Sequence, residues 1–465
     1  MSSTTPPVAG RRGVLRGGAQ GLRERTSTTP GRLWVMSVVL AAVSGLLWLA
    51  GSSTVVTAQT KVDQIGHRSG PAVIDAQKIH GALADADRSA ANAFLSTGEQ
   101  SLAPRQRYER DIALATHDLE QAAEHNTAGS QASDDLQAVN AAVAQYTGLV
   151  EAARANGRQG FPVGAAYLRA ASRLMHQPGD GILARVDALA AVNSGNASVE
   201  YNSLWYLAAL LAVFFAFGAL LFALLISTQG YVRRRFRRRR NNRLMVATVL
   251  LLLLSGVMAG QALYTYRNLQ TAEEQAFPRL HQLWQARATV ADLNGNESLS
   301  LIARGNGSAF DEAFKAETLQ LVDRPLTDAL VEDAAQGKVQ FKGLLADEIK
   351  QGGFPGERAA AVRALRAYQQ FLAADAAVRA RASTGDHDGA VALALGSSQG
   401  QLGAAFADLD AALGAAIEID QREFDQAISR ATPNLALNLA IPLCAVGIAV
   451  LVVWGLQPRI AEYRS

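Results

Sequence analysis

The chain has one cysteine in 465 residues, and that one, Cys444, lies inside an apolar run. No disulfide can brace it, and no second thiol is at hand for a metal. Histidine is sparse too. His67, His80, His117, His125, His176, His281 and His387 include no pair at the i, i+3 or i, i+4 spacing of a helical metal site. Nucleophile motifs, phosphate loops and dinucleotide fingerprints are missing. No catalytic, cofactor-binding or metal-binding residue is therefore expected, and an enzyme is the least favoured class. Asp386-His387-Asp388 comes nearest to a metal motif, and reads better as a solvated turn.

Charge is missing from four stretches. Leu33–Ala50, Leu204–Ser227, Leu244–Tyr264 and Leu435–Gly455 contain no Lys, Arg, Asp or Glu. Each is close to the roughly 20 residues a helix needs to cross hydrocarbon. The short segments around them are basic. Arg11, Arg12, Arg16, Arg23, Arg25 and Arg32 precede the first, eight arginines lie between the second and third, and Arg459 and Arg464 follow the fourth. Together these segments hold 16 Lys/Arg against 2 Asp/Glu, whereas the two long regions hold 28 against 39. Basic residues beside a span stay cytoplasmic. The expected layout is a cytoplasmic tail at 1–32, spans at 33–57, 204–228, 244–266 and 435–456, an Arg-rich cytoplasmic loop at 229–243, and a cytoplasmic tail at 457–465. Residues 58–203 and 267–434 are then extracytoplasmic. Val56-Thr57-Ala58 would suit signal-peptide cleavage, but the third span begins its half in the same way with no cleavage, so the first is expected to stay as an anchor.

Both long regions are rich in Ala, Leu, Gln, Glu and Arg and poor in Pro, which favours helices. Leu402, Phe406, Leu409, Leu413, Ile417, Phe424 and Ile428 form one apolar stripe, and Leu183, Val186 and Leu189 start another. Breaks at Gly98, Thr127–Ser133, Gly157–Pro162 and Pro178-Gly179, and at Gly305–Gly307, Gly352–Gly356, Ser383–Gly389 and Gly396–Ser398, divide each region into about four helices. The expected fold class is an all-α membrane protein with four transmembrane helices and two extracytoplasmic four-helix bundles in tandem repeat. Ordered matches support the repeat: Ala84-Asp85 with Ala291-Asp292, Phe94…Gly98 with Leu301…Gly305, Tyr146 with Tyr368, and Leu183–Ala188 with Phe406–Ala411.

The Phe94-Leu95…Gly98 helix end, the small residues at Gly164-Ala165-Ala166 and the span–bundle–span plan resemble the periplasmic bundles of bacterial chemoreceptors and sensor kinases. The doubled plan with an Ala/Gly/Arg-rich composition resembles the GlnX-type actinobacterial membrane sensors. That resemblance implies an extracytoplasmic amino-acid-binding lipoprotein and a soluble cytoplasmic Ser/Thr kinase as partners. It carries over no functional residue.

Two local features remain. Arg233, Arg234, Arg235, Phe236, Arg237, Arg238, Arg239, Arg240 and Arg243 form either a lipid-binding topology anchor or a docking surface for an acidic partner, with Tyr231 and Phe236 adding apolar contact. Nucleic acid is not expected, because spans pin both ends of the loop. Gly256 and Gly260 make a GxxxG pair for packing between spans or for a homodimer. Tyr146 and Tyr368 read as packing residues before ligand groups, and Arg169 and Arg173 as a solvated pair. The ligand pocket is not legible. A loop of about 15 residues cannot fold as an output domain, so the leading expectation is a sensor signalling to a separate effector. A membrane-anchored envelope scaffold is the alternative, and a transporter subunit a weaker one, since the spans lack ionisable groups.

Overall fold

A computed structural model describes residues 29–96, 102–126, 130–157, 161–202, 204–236, 241–304, 307–434 and 436–461. All regular structure among them is helical. The chain separates into two compact units, one drawn from residues 1–61, 203–266 and 432–465 and the other from 62–202 and 267–431.

The first unit contains the apolar helices. These are α1 (Thr29–Gln64), α7 (Leu204–Phe236), α8 (Asn242–Gln270) and α16 (Ala436–Ala461). All four are long and apolar enough to cross a membrane. Leu40, Leu47, Phe214, Leu221, Leu251, Ile441 and Ile448 pack into a common core. Even so, at most 39 % of the residues in each most apolar stretch are buried within the protein. Leu46, Leu49, Leu252, Leu253, Leu443 and Val446 point outward. An apolar exterior of this extent requires lipid around it. Trp34, Trp205, Tyr206, Tyr264, Tyr266 and Trp454 are exposed near the ends of these helices, where amphipathic rings meet headgroups. The protein is a multi-pass membrane protein.

In the second unit, α2 (Gly70–Leu95) packs against α3 (Leu102–His125), α5 (Phe161–His176) and α6 (Ile182–Asn202), with α4 (Gln131–Gly157) closing the group. The later region has α9 (Phe277–Ala303) against α10 (Ser308–Leu321) and α15 (Leu402–Ala431), with α13 (Glu357–Ser383) and α14 (His387–Leu395) completing it. The two regions do not stand apart. Helices α2 and α9 pack directly on each other. Small residues permit the approach: a Cβ on Gly295 would lie 3.7 Å from Arg88 Cα, and one on Gly81 would lie 3.5 Å from the Trp284 ring.

Each region opens with a wide turn. Ile65–Ser69 and Thr271–Ala276 are π-helical, and the Gly70 and Phe277 amides reach back five residues to the Ile65 and Ala272 carbonyls. Pro71 and Pro278 follow at once. A proline ring inside a helix clashes with the carbonyl four residues before it, and widening the preceding turn relieves the clash.

The breaks expected from glycine and proline recur. Helix α3 ends at His125 before α4 starts at Gln131, and α4 ends at Gly157 before α5 starts at Phe161. Further breaks fall at 177–181, 352–356, 384–386 and 396–401. Gly98, residues 127–129 and 158–160, Gly305 and Asn306 lie outside the described residues. One break has no counterpart in the sequence reading. The later region also contains α11 (Asp328–Ala335) and α12 (Leu344–Gln351), which a four-helix plan does not include. Val322 turns extended after α10, and Gly343 starts α12 at φ 116, where a Cβ would lie 2.4 Å from the Leu321 carbonyl oxygen. Only glycine fits there.

Candidate functional site

The seam between α2 and α9 is polar, although α2 is buried along most of its length. Buried polar groups need partners, and here they find them across helices. Asp87 is 4 % exposed and accepts hydrogen bonds from Tyr146 Oη at 3.0 Å, Ser172 Oγ at 3.0 Å and His176 Nε2 at 3.1 Å. Asn92 donates to Asn294 Oδ1 at 3.4 Å and accepts from Ser298 Oγ at 2.5 Å, tying the two regions together. The Arg88 guanidinium pairs with Asp85 at 3.1 Å and stacks 4.1 Å from the centre of the Phe406 ring, a second tie.

The other ring nitrogen of His176 lies 4.0 Å from Asp292. Burial works against the imidazolium, but Asp292 and Asp87 outweigh it and push His176 up to about 9. Burial raises Asp292, and His176 opposes that rise. Nearby Glu317 accepts from Asn296 Nδ2 at 2.9 Å on both oxygens, yet burial and then Asp292 push it up to about 8. All three groups therefore hold a proton to higher pH than they ordinarily would.

Beside this group is a cavity of about 630 Å³ between the two regions. Helices α2 and α6 contribute Gln77, His80, Asp187 and Ser194 to its wall, while α9 contributes His281 and Asp292. His80 Nδ1 lies 2.7 Å from Asp187 Oδ1, fixing both on the rim. Asp292 Oδ1 is buried and has no hydrogen-bond partner. Its nearest cation is His176 at 4.0 Å, and the half-buried Asp292 side chain lies on the wall of a ligand-sized cavity whose lining is more apolar than polar. Sequence reasoning missed this site because its residues come from separate helices. The one signal available was Asp85 matching Asp292 between the halves.

Tyr146 and Tyr368 are both fully buried, with hydroxyls bonded to Asp87 and to the Thr318 carbonyl, as packing residues would be. Neither lines the cavity. Arg169 bonds its own helix at Ala165 O, and Arg173 is exposed. Asp386 caps α14 by accepting from the Gly389 amide at 3.0 Å and pairs with Arg381 at 2.8 Å, which is the solvated turn. His387 and Asp388 border a second depression of about 710 Å³. Of the two arginines there, Arg304 and Arg379, the second is already engaged by Glu297, Asp311 and Asp375.

In the membrane unit, Arg233 and Arg234 are exposed at the end of α7. Arg235 and Phe236 complete that helix. Arg237, Arg238, Arg239 and Arg240 lie outside the described residues. The ends of the loop are pinned. Gln229 donates to Leu244 O and Thr248 Oγ1, Asn241 donates to Gly455 O at 2.9 Å, and Arg243 donates to Trp454 O at 2.6 Å. Gly256 and Gly260 bear on one of the two readings of the pair, packing within the chain. Both face outward, and a Cβ added to either would meet nothing within 4 Å, so they do not pack the spans of this chain together. Their neighbours on that face, such as Val257, are exposed, and the buried stripe of α8 runs instead through Leu251, Leu254 and Met258.

Residues 61–202 match the family described as the actinobacterial sensor domain. This is the earlier region of the second unit, from the first wide turn to the end of α6. Neither a curated protein nor a solved structure matches the chain.

Proposed function

We propose that this protein is a transmembrane sensor whose ligand is a small polar molecule bound in the cavity between α2, α6 and α9. The observation that carries the reading is Asp292, a half-buried carboxylate with only a long ion pair to His176, on the wall of a cavity built jointly by both regions. A ligand offering an ammonium or amide donor would meet that carboxylate, while His80 and Gln77 would contact its other end. Amino acids and their amides have this chemistry. The match of residues 61–202 to a sensor domain supports the same reading.

Binding at a seam between two helix groups favours one mutual placement of them, and shifts of about 1–2 Å at such seams are a common switching device. The two regions are read as repeats, facing outward, with residues 229–243 inside. Output then passes to a separate cytoplasmic effector through the arginine loop, whose ends are pinned to α8 and α16. A kinase is the effector class that the family resemblance implies.

The test is thermal unfolding of the full chain in detergent against the twenty amino acids and simple polyamines. At least one should raise the midpoint, and Asp292→Asn should abolish that rise while the unliganded protein stays folded. Retention of the full shift in Asp292→Asn would remove the cavity from the reading. If no probe shifts the midpoint and the protein instead binds an envelope partner constitutively, a scaffold is the better account.

A further inference from the structure

Three carboxylates from three helices meet deep inside the later region. Glu348 is on α12, Glu357 is the first residue of α13, and Asp420 is on α15. All are 0 % exposed. One oxygen from each lies within 4.8 Å of the others. Ionised carboxylates so close repel one another, and their removal from water adds to the cost. Burial and then Asp420 push Glu348 up to about 9, and burial and then Glu357 push Asp420 up to about 7.

The cation at hand is Arg279 on α9, which donates from Nη1 to both Glu357 oxygens at 3.0 Å. Glu357 Oε2 also accepts from the Gly353 and Phe354 amides at 2.7 and 2.8 Å, which leaves spare acceptor capacity only on Oε1. Glu357 is thus held in place by the protein. Glu348 and Asp420 are not: no N–H or hydroxyl donates to either oxygen of either, and Asp420 meets the Glu357 carboxylate instead. Four fully enclosed carboxylate oxygens without an N–H or hydroxyl donor depart from the usual satisfaction of buried polar groups.

Three carboxylates and one guanidinium leave a formal charge of −2, which one divalent cation would neutralise. Donor oxygens with no imidazole or thiolate select hard cations over zinc or copper. Calcium binds oxygen at about 2.3–2.6 Å, so ligands on opposite sides of it lie up to about 5 Å apart; magnesium, at about 2.0–2.1 Å, demands a tighter set. We propose that Glu348, Glu357 and Asp420 bind one divalent cation of the calcium class, which fastens α12 to α13 and α15. The segment 322–343 that leads into α12 would be secured with it. Arg279 lowers the net attraction, which places the expected dissociation constant at about 10⁻⁴–10⁻³ M, the weaker range for calcium sites.

The full chain in detergent, stripped with EDTA and dialysed, should take up one radioactive calcium ion per molecule in equilibrium dialysis. Calcium should raise its thermal midpoint by several degrees, and magnesium should do so less. Asp420→Asn and Glu348→Gln should each weaken uptake at least tenfold. Both substitutions put a neutral amide where an enclosed carboxyl must otherwise take up a proton or repel its neighbours, so the ion-free variants should melt no lower than the ion-free parent. Should either variant fail to fold, uptake and midpoint of the parent protein decide alone. No uptake at about 5–10 mM calcium, on the order of ten times the expected constant, with a midpoint indifferent to EDTA, would mean that protons alone neutralise the cluster. That result would overturn the proposal.

Discussion

At matching places in the two regions, His80 meets Asp187 on α6 and Arg287 meets Asp410 on α15. Ser89 bonds Asp111 at 2.9 Å where Asn296 bonds Glu317. Pro71 and Pro278, Asp85 and Asp292, and Phe94 and Leu301 are all separated by the same number of residues. The geometry of the contacts is kept while their chemistry changes. The earlier region uses histidine where the later one uses arginine, a ring with two nitrogens in place of a planar fork of five donors. The later region also contains more enclosed acid than its arginines match. The comparison teaches that a helix scaffold fixes where polar groups meet without fixing which groups meet there.

The largest expected effect tests whether the earlier region carries the stronger polar centre. Asp87→Ala strands three donors and should cost about 3–5 kcal/mol in chemical unfolding. Asn294→Ala, at the matching place in α9, loses one long hydrogen bond across the seam and should cost about 1–2 kcal/mol. Equal losses would break the asymmetry.

A second test uses pH. His176, at about 9, and Glu317, at about 8, both have folded values above their ordinary ones of 6.5 and 4.5. Each therefore binds more protons folded than unfolded. Its contribution is complete below the ordinary value and drains away as pH rises through the folded one. The thermal midpoint should fall from about pH 5 to about pH 9. Glu317→Gln should flatten the decline between about pH 4.5 and 8, and His176→Gln the part between about 6.5 and 9. A midpoint that climbs with pH would contradict the raised values of His176 and Glu317.

The smallest effect concerns the two buried tyrosines. Tyr146 Oη bonds a carboxylate at 3.0 Å, whereas Tyr368 Oη reaches a carbonyl at 3.4 Å. Tyr146→Phe should cost about 1.5–2 kcal/mol and Tyr368→Phe about 0.5 kcal/mol. Differential scanning of the two variants side by side would show the order, and a reversed order would make Tyr368 the better-bonded member.

Much of this was legible in the chain. The charge-free stretches mark the apolar helices, because hydrocarbon tolerates no charge along its depth. The stripe from Leu402 to Ile428 is buried as its spacing implies. Glycine and proline mark most of the turns. The segment 322–343, with the short helix α11 inside it, is marked by Pro325, which disfavours helix at Arg324, and by Gly337 and Gly343, both at positive φ; a four-helix plan takes no account of them.

Composition and periodicity thus determined an all-helical chain with four lipid-facing spans and two polar helical regions, since burial follows from local hydrophobic spacing. Only the tertiary structure decided that the two regions share a seam through α2 and α9, and that Asp292 meets His176 beside a cavity. It alone brought Glu348, Glu357 and Asp420 together. Those meetings join residues far apart along the chain. They depend on which helix faces pack together, and no local pattern in the sequence encodes that choice.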